Sequence, residues 1–216
     1  MTDTSYFPAQ APASFSDAPA VRAWFAATLA DLGPTAQTAA GGDLAAPTPC
    51  SDYRLADLLD HVLGWVDFFG HAFADPTGAG TRPDPAAYRM ADDPRDPAAV
   101  VADAAARFDA ALAGGVLDGR VLMSQSQMDG PAAAAMVLGE YLVHGWDLAR
   151  ASGRAWTPGP QACDAAHAFF TGIITPEYRG PAGFFADEIA VAEDSSPLDR
   201  LLGFAGRDPQ WTATHH

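Results

Sequence analysis

Between residues 132 and 149 the chain reads as one helix that is apolar almost all the way round, and the only Asp, Glu, Lys, Arg or His residues inside it are Glu140, His144 and Asp147. Met136, Val137, Leu138, Leu142, Val143, Trp146 and Leu148 leave no wide polar face, the pattern of a central helix packed on several sides. At about 100° per residue the three ionisable groups share an arc of roughly 60°. Such a helix demands neighbours on most of its surface, and its polar stripe demands a partner. A lone buried carboxylate costs several kcal/mol, whereas a metal ion satisfies a carboxylate and an imidazole one helical turn apart.

A third donor comes from residues 55–69, where Asp57, Asp60 and Asp67 share one arc and leucines, valines and aromatics lie opposite. His61 stands at the edge of the apolar arc beside Trp65 and Phe68 and is expected to point inward. With Glu140 and His144 it makes a set of two histidines and one glutamate, which leaves positions open as catalytic sites do. Spacing alone leaves two readings open. A Glu-x₃-His pair is an ordinary hydrogen-bonded pair or part of a metal site, and an inward histidine is a satisfied core residue or a ligand.

Three ordered blocks carry a resemblance across about residues 20–209. They are the run from Ala46 and Thr48-Pro49-Cys50 to Asp60-His61-Val62, the block from Val143-His144-Gly145-Trp146-Asp147 to Gly153, and the tail from Ser196-Pro197-Leu198 to Arg207-Asp208-Pro209. Together they resemble the actinobacterial metal-binding branch of the DinB superfamily, which is similar to the N-terminal domain of mycothiol-dependent maleylpyruvate isomerase. The resemblance implies an all-α, DinB-like four-helix bundle in an up-down-down-up arrangement with additional short helices and long loops. It also implies that His61, Glu140 and His144 bind a divalent metal and that mycothiol is a cosubstrate. Tyr53 departs from the tryptophan usual in that family, and the stretch from Met123 to Asp129 is more polar than typical. No counterpart of the isomerase's extra C-terminal domain is expected. An imidazole-rich set favours zinc, then nickel, over magnesium.

Length and composition suit one domain over residues 16–216, preceded by a flexible arm over residues 1–15 that is rich in Ala, Pro and Ser. With 27 acidic against 12 basic residues, the net charge of −15 disfavours nucleic acid and anionic membranes as partners. No signal peptide or membrane-length apolar run is present, so a cytoplasmic protein acting on a small molecule, as monomer or homodimer, is expected. Helices are predicted at about 18–32, 52–74, 96–113, 130–152 and 159–173, with Thr48 or Ser51 capping the second and Gly153 stopping the fourth. Residues 75–96 and 114–130 read as irregular, the first as a binding lid whose Arg82, Tyr88 and Arg89 could meet an anionic ligand; Arg82 and Arg89 are the candidate cofactor-binding pair.

Among the remaining groups, Cys50 precedes a helix and is a nucleophile or a packing residue, while His71 and His167 are expected outside the site. The final His215 and His216 carry no weight. Glu140 and Asp147 are the candidate catalytic residues; Asp147 is expected either to orient His144 or to fix Arg150 or a neighbouring helix. Three functions follow. The first is a metal-dependent isomerase or S-transferase in which the ion binds a thiol and presents it to an electrophilic carbon. The second is a thiol-independent hydrolase, cyclase or lyase, and the third a non-catalytic metal-binding protein.

Overall fold

A computed structural model describes residues 5–6, 9–180 and 185–213; the two terminal histidines lie outside the described residues. Helices dominate: α1 (Ala18–Ala40), α2 (Leu55–Ala74), α3 (Pro97–Ala113), α4 (Gly130–Ser152), α5 (Pro160–Ile173) and α6 (Pro197–Phe204). Strands β1 (Ser5–Tyr6), β2 (Arg120–Met123) and β3 (Ser126–Asp129) form one small sheet in the order β1-β3-β2, parallel then antiparallel. The protein is thus mostly helical, in keeping with the all-α class expected from the sequence.

α4 is the central helix that its apolar circumference predicts. It packs against α1, α2 and α5, while α3 closes the far side by packing on α1 and α2. An aromatic group, Phe25, Phe73, Phe108 and Tyr141, fills the space between these helices, with Phe108 about 4.9 Å from both Phe25 and Phe73. Two small residues let neighbours reach α4 closely. A Cβ on Gly139 would fall 2.4 Å from the Phe170 ring, and one on Gly145 would fall 2.3 Å from the Trp156 indole. Trp156 then donates its indole N–H to the Leu142 carbonyl at 3.1 Å.

Element ends follow local chemistry. Asp17 and Asp96 accept the backbone N–H of Ala20 and Ala99, and Ser196 accepts that of Asp199, each with proline in the first turn. Neither Thr48 nor Ser51 caps α2, which begins at Leu55 instead of 52. Asp57 accepts the backbone N–H of Arg54 at that end, and the Thr48 hydroxyl donates to the carbonyls of Cys50 and Tyr53. Gly153, at φ +71°, ends α4.

Several expectations need correction. α1 does not stop before Gly33-Pro34 but runs to Ala40, because Leu32, Thr35, Ala36 and Ala39 are buried and outweigh the loss of one helical N–H. Residues 114–130 are not irregular throughout. Val121, Met123 and Met128 point into the core from β2 and β3, and Ser124 turns the hairpin at φ +51°. No helix is predicted over residues 197–204, yet α6 forms there behind the Ser196 cap and packs on α5, with Leu201 and Leu202 buried. Of the segment read as a flexible arm over residues 1–15, residues 1–4 and 7–8 lie outside the described residues; at its end Ala13–Ser16 forms a 3₁₀ turn and Phe15 is completely buried, edge-on to Trp24. Burying one phenylalanine is worth about 2–3 kcal/mol, enough to hold a short segment down.

Candidate metal centre

α4 carries Glu140, His144 and Asp147 along one face, and α2 brings His61 across to them. One donor atom from each of His61, Glu140 and His144 lies within 4.8 Å of the others. Ligands that each sit about 2 Å from one ion stand within about 4 Å of one another. Around a tetrahedral ion that separation is about 3.3 Å, so the set, at up to 4.8 Å, is within about 1.5 Å of the geometry a bound ion requires. The two imidazoles meet edge to face with ring centroids 5.0 Å apart, and His144 Nε2 lies 3.4 Å from a Glu140 carboxylate oxygen.

Both histidines are held from behind. His144 Nδ1 donates to Asp147 Oδ2 at 3.0 Å, and Asp147 is completely buried. His61 Nδ1 lies 3.1 Å from the Tyr53 hydroxyl. Each ring thus has Nδ1 engaged, the arrangement that orients metal-binding imidazoles, while His144 Nε2 faces Glu140, where an ion would take the place of the proton between them. Asp147 in turn accepts from Nε and Nη2 of Arg207, whose Nη1 donates to the Ala205 carbonyl. Burial opposes ionisation of Asp147, but Arg207 and His144 outweigh it and hold its carboxyl below the usual range. Burial also opposes charge on His144, yet the bonds to Asp147 and Glu140 raise it to about 9. Burial and then the neighbouring His144 push His61 down to about 4, so that ring is neutral and available as a donor at pH 7.

The donors open onto a cavity of about 540 Å³. Residues 49–53, the β2–β3 hairpin, α5 and residues 205–207 border it. Asp147 is not on its wall; it meets both His144 and Arg207, holding the imidazole and tying the segment after α6 to α4, while Arg150 turns to the Pro209 carbonyl. Arg82 and Arg89 do not reach the cavity. Arg82 donates to the carbonyls of Asp75 and Leu122 and lies over Phe68, while Arg89 turns to the carbonyls of Ala86 and Tyr88. A long loop leaves many carbonyls to satisfy, and its arginines meet those first. Residues 75–96 pack on α2 instead of covering the cavity, with the Met90 N–H on Asp60 and Tyr88 against Gly64.

Cys50 lines the cavity, but burial raises its thiol pKa despite Arg207; burial pushes Cys163 up to about 12. Neither is an activated nucleophile. His71 bonds the Asp67 carbonyl and His167 packs on Phe204, both away from the donors. Arg207 is the residue that sequence reasoning missed. The signal was present, since Asp147 needed a buried cation and the tail motif contains one.

Fold and site define a helical protein whose central helix and its neighbour bring a two-histidine, one-glutamate donor set to the wall of a cavity. The chain belongs to the family described as the mycothiol maleylpyruvate isomerase N-terminal domain, which it matches over residues 25–149, from within α1 to near the end of α4. That span contains all three donors. Two uncharacterized proteins of Mycobacterium tuberculosis, from strains CDC 1551 / Oshkosh and ATCC 25618 / H37Rv, are each 30% identical over 183 residues, covering 85% of this chain and 91% of theirs. No solved structure matches.

Proposed function

We propose that this chain is a metal-dependent enzyme acting on a small metabolite, with mycothiol as cosubstrate and an isomerase or S-transferase activity. The observation that carries the reading is the convergence of His61, Glu140 and His144 at the cavity wall, each imidazole held through Nδ1. Zinc, or else nickel, suits two imidazoles and one carboxylate. When bound, such an ion supplies Lewis acidity and lowers the pKa of a thiol or water. The chain's own groups do the rest. Asp147 fixes the His144 ring, Tyr53 fixes His61, and Arg207 balances the buried Asp147 charge. Cys50 and Cys163 stay protonated, which suits a nucleophile supplied from outside.

The proposal extends to architecture and context. α1 to α4 form the up-down-down-up four-helix bundle, within a single domain over residues 16–216. The packing of α1 and α2 on both α3 and α4 supports it. No helix among the described residues is long and apolar enough to cross a membrane. We place the protein in the cytoplasm as a monomer or homodimer.

Elemental analysis and calorimetry test the reading. Wild-type protein should hold about one divalent ion per chain, and His61→Ala and His144→Ala should lose it, since two donors from this set bind far more weakly than three. Mycothiol should bind the zinc-loaded wild type and not the zinc-free protein. Full metal occupancy in both variants refutes the donor set, and equal mycothiol binding with and without zinc refutes the thiol role.

A further inference from the structure

We infer that the cavity takes a largely apolar, uncharged molecule of aromatic size and rejects dicarboxylates. This deepens the metal-site reading and rests on it only for which end of the molecule faces the donors. Away from the donors the wall is mostly apolar, with Trp65 and Phe69 from α2, Met128 from β3, Met136 from α4, and Phe170 and Ile173 from α5, and its neutral polar groups are Ser51, Ser124, Ser126, Tyr53 and Tyr178. At about 540 Å³ it falls within the usual range for small-molecule sites, and such sites combine an apolar wall with a few convergent polar groups. The methionines matter here, because an unbranched, polarizable thioether adapts to a flat ring.

The charges around the cavity point the same way. Beyond the donors themselves, its charged side chains among the described residues are Asp52, which is exposed at the rim, and Arg207. Arg207 already serves another carboxylate: Nε and Nη2 bond Asp147 and Nη1 bonds the Ala205 carbonyl, three of its five N–H groups. A dicarboxylate with one end at the donors would set its other carboxylate against a mostly apolar wall whose one arginine among the described residues is already paired with Asp147. Desolvating that carboxylate costs several kcal/mol. The net charge of −15 adds long-range repulsion for any anion. Phe170, Ile173 and Arg207 lie beyond residues 25–149, so the family match does not cover that part of the wall.

Fluorescence titration of the full chain with the neutral dye N-phenylnaphthylamine, zinc-free and zinc-loaded, tests the inference. Saturable binding is expected in both states. Met136→Lys and Ile173→Lys sit at partly exposed positions on different helices and should each weaken it on the order of tenfold with unchanged circular dichroism, since each puts a charge in the apolar wall. Maleate should fail to displace the dye at a large excess. Absence of saturable binding, unchanged binding in both variants, or displacement by maleate overturns the inference. Dye binding with maleate rejection in a protein that takes up no zinc would sustain the inference while removing the metal reading. Zinc uptake without dye binding would do the reverse.

Discussion

Asp147 is the residue on which the site turns, although it touches no part of the cavity. Its carboxylate accepts from His144 Nδ1 and from Arg207 at once, in a position with no exposure to water. Replacing it by asparagine leaves the guanidinium buried without its counter-charge, which costs about 3–5 kcal/mol, and frees the His144 ring, which costs about 10–100-fold in metal affinity. Asp147→Asn should therefore lower both the urea midpoint and the zinc affinity measured by chelator competition. Adding Arg207→Met removes the stranded charge, so the double variant should recover much of the stability but not the zinc affinity. Recovery of both would show that Asp147 serves packing alone.

At the scale of elements, α4 is built for close approach as much as for its donors. Alanine is the better helix former, and at an exposed position a Gly→Ala change would stabilise by about 1 kcal/mol. At Gly139 and Gly145 the sign reverses, because the added methyl would overlap the Phe170 and Trp156 rings. Gly139→Ala and Gly145→Ala should each destabilise by about 1–3 kcal/mol in denaturant titration. Gly139→Ala should also disturb the cavity, since Phe170 is part of its wall. A gain in stability for either variant would mean that α5 and the Trp156 segment pack more loosely than the structure has them. The loop over residues 75–96 is fastened in a different way: Arg95 links Asp93, Asp67 and Asp103, tying the loop to α2 and α3. Paired there, Asp93 is held below the usual carboxylate range by Arg95 despite some burial.

For the whole molecule, the donor set joins two helices far apart in sequence, α2 and α4, so an ion that binds only the folded chain must raise its stability. Zinc held at about a hundred times its dissociation constant should add about 2.7 kcal/mol, read as an upward shift in the thermal midpoint that EDTA reverses. His61→Ala should show no such zinc-dependent shift while keeping the wild-type helical spectrum. An equal shift in that variant would put the zinc elsewhere on a chain with 27 acidic residues.

What the sequence by itself determined was the local and periodic part. The apolar circumference of residues 132–149 made α4 central, the 100° periodicity put Glu140, His144 and Asp147 on one face, and the edge position of His61 turned it inward. These follow from residues a few positions apart on one helix, where geometry is set by the backbone alone. Tertiary structure decided the rest. The choice of His144 and Arg207 over Arg150 for Asp147, the return of Arg82 and Arg89 to their own loop's carbonyls, and the passage of α1 through Pro34 all depend on groups distant in sequence. Arg207 reaches Asp147 across 60 residues, and Phe15 and the β2–β3 hairpin are fastened by burial against helices that no local pattern identifies. A hydrogen bond or a buried ring is worth its free energy only where the fold brings its partner, and that partner is set by packing rather than by spacing.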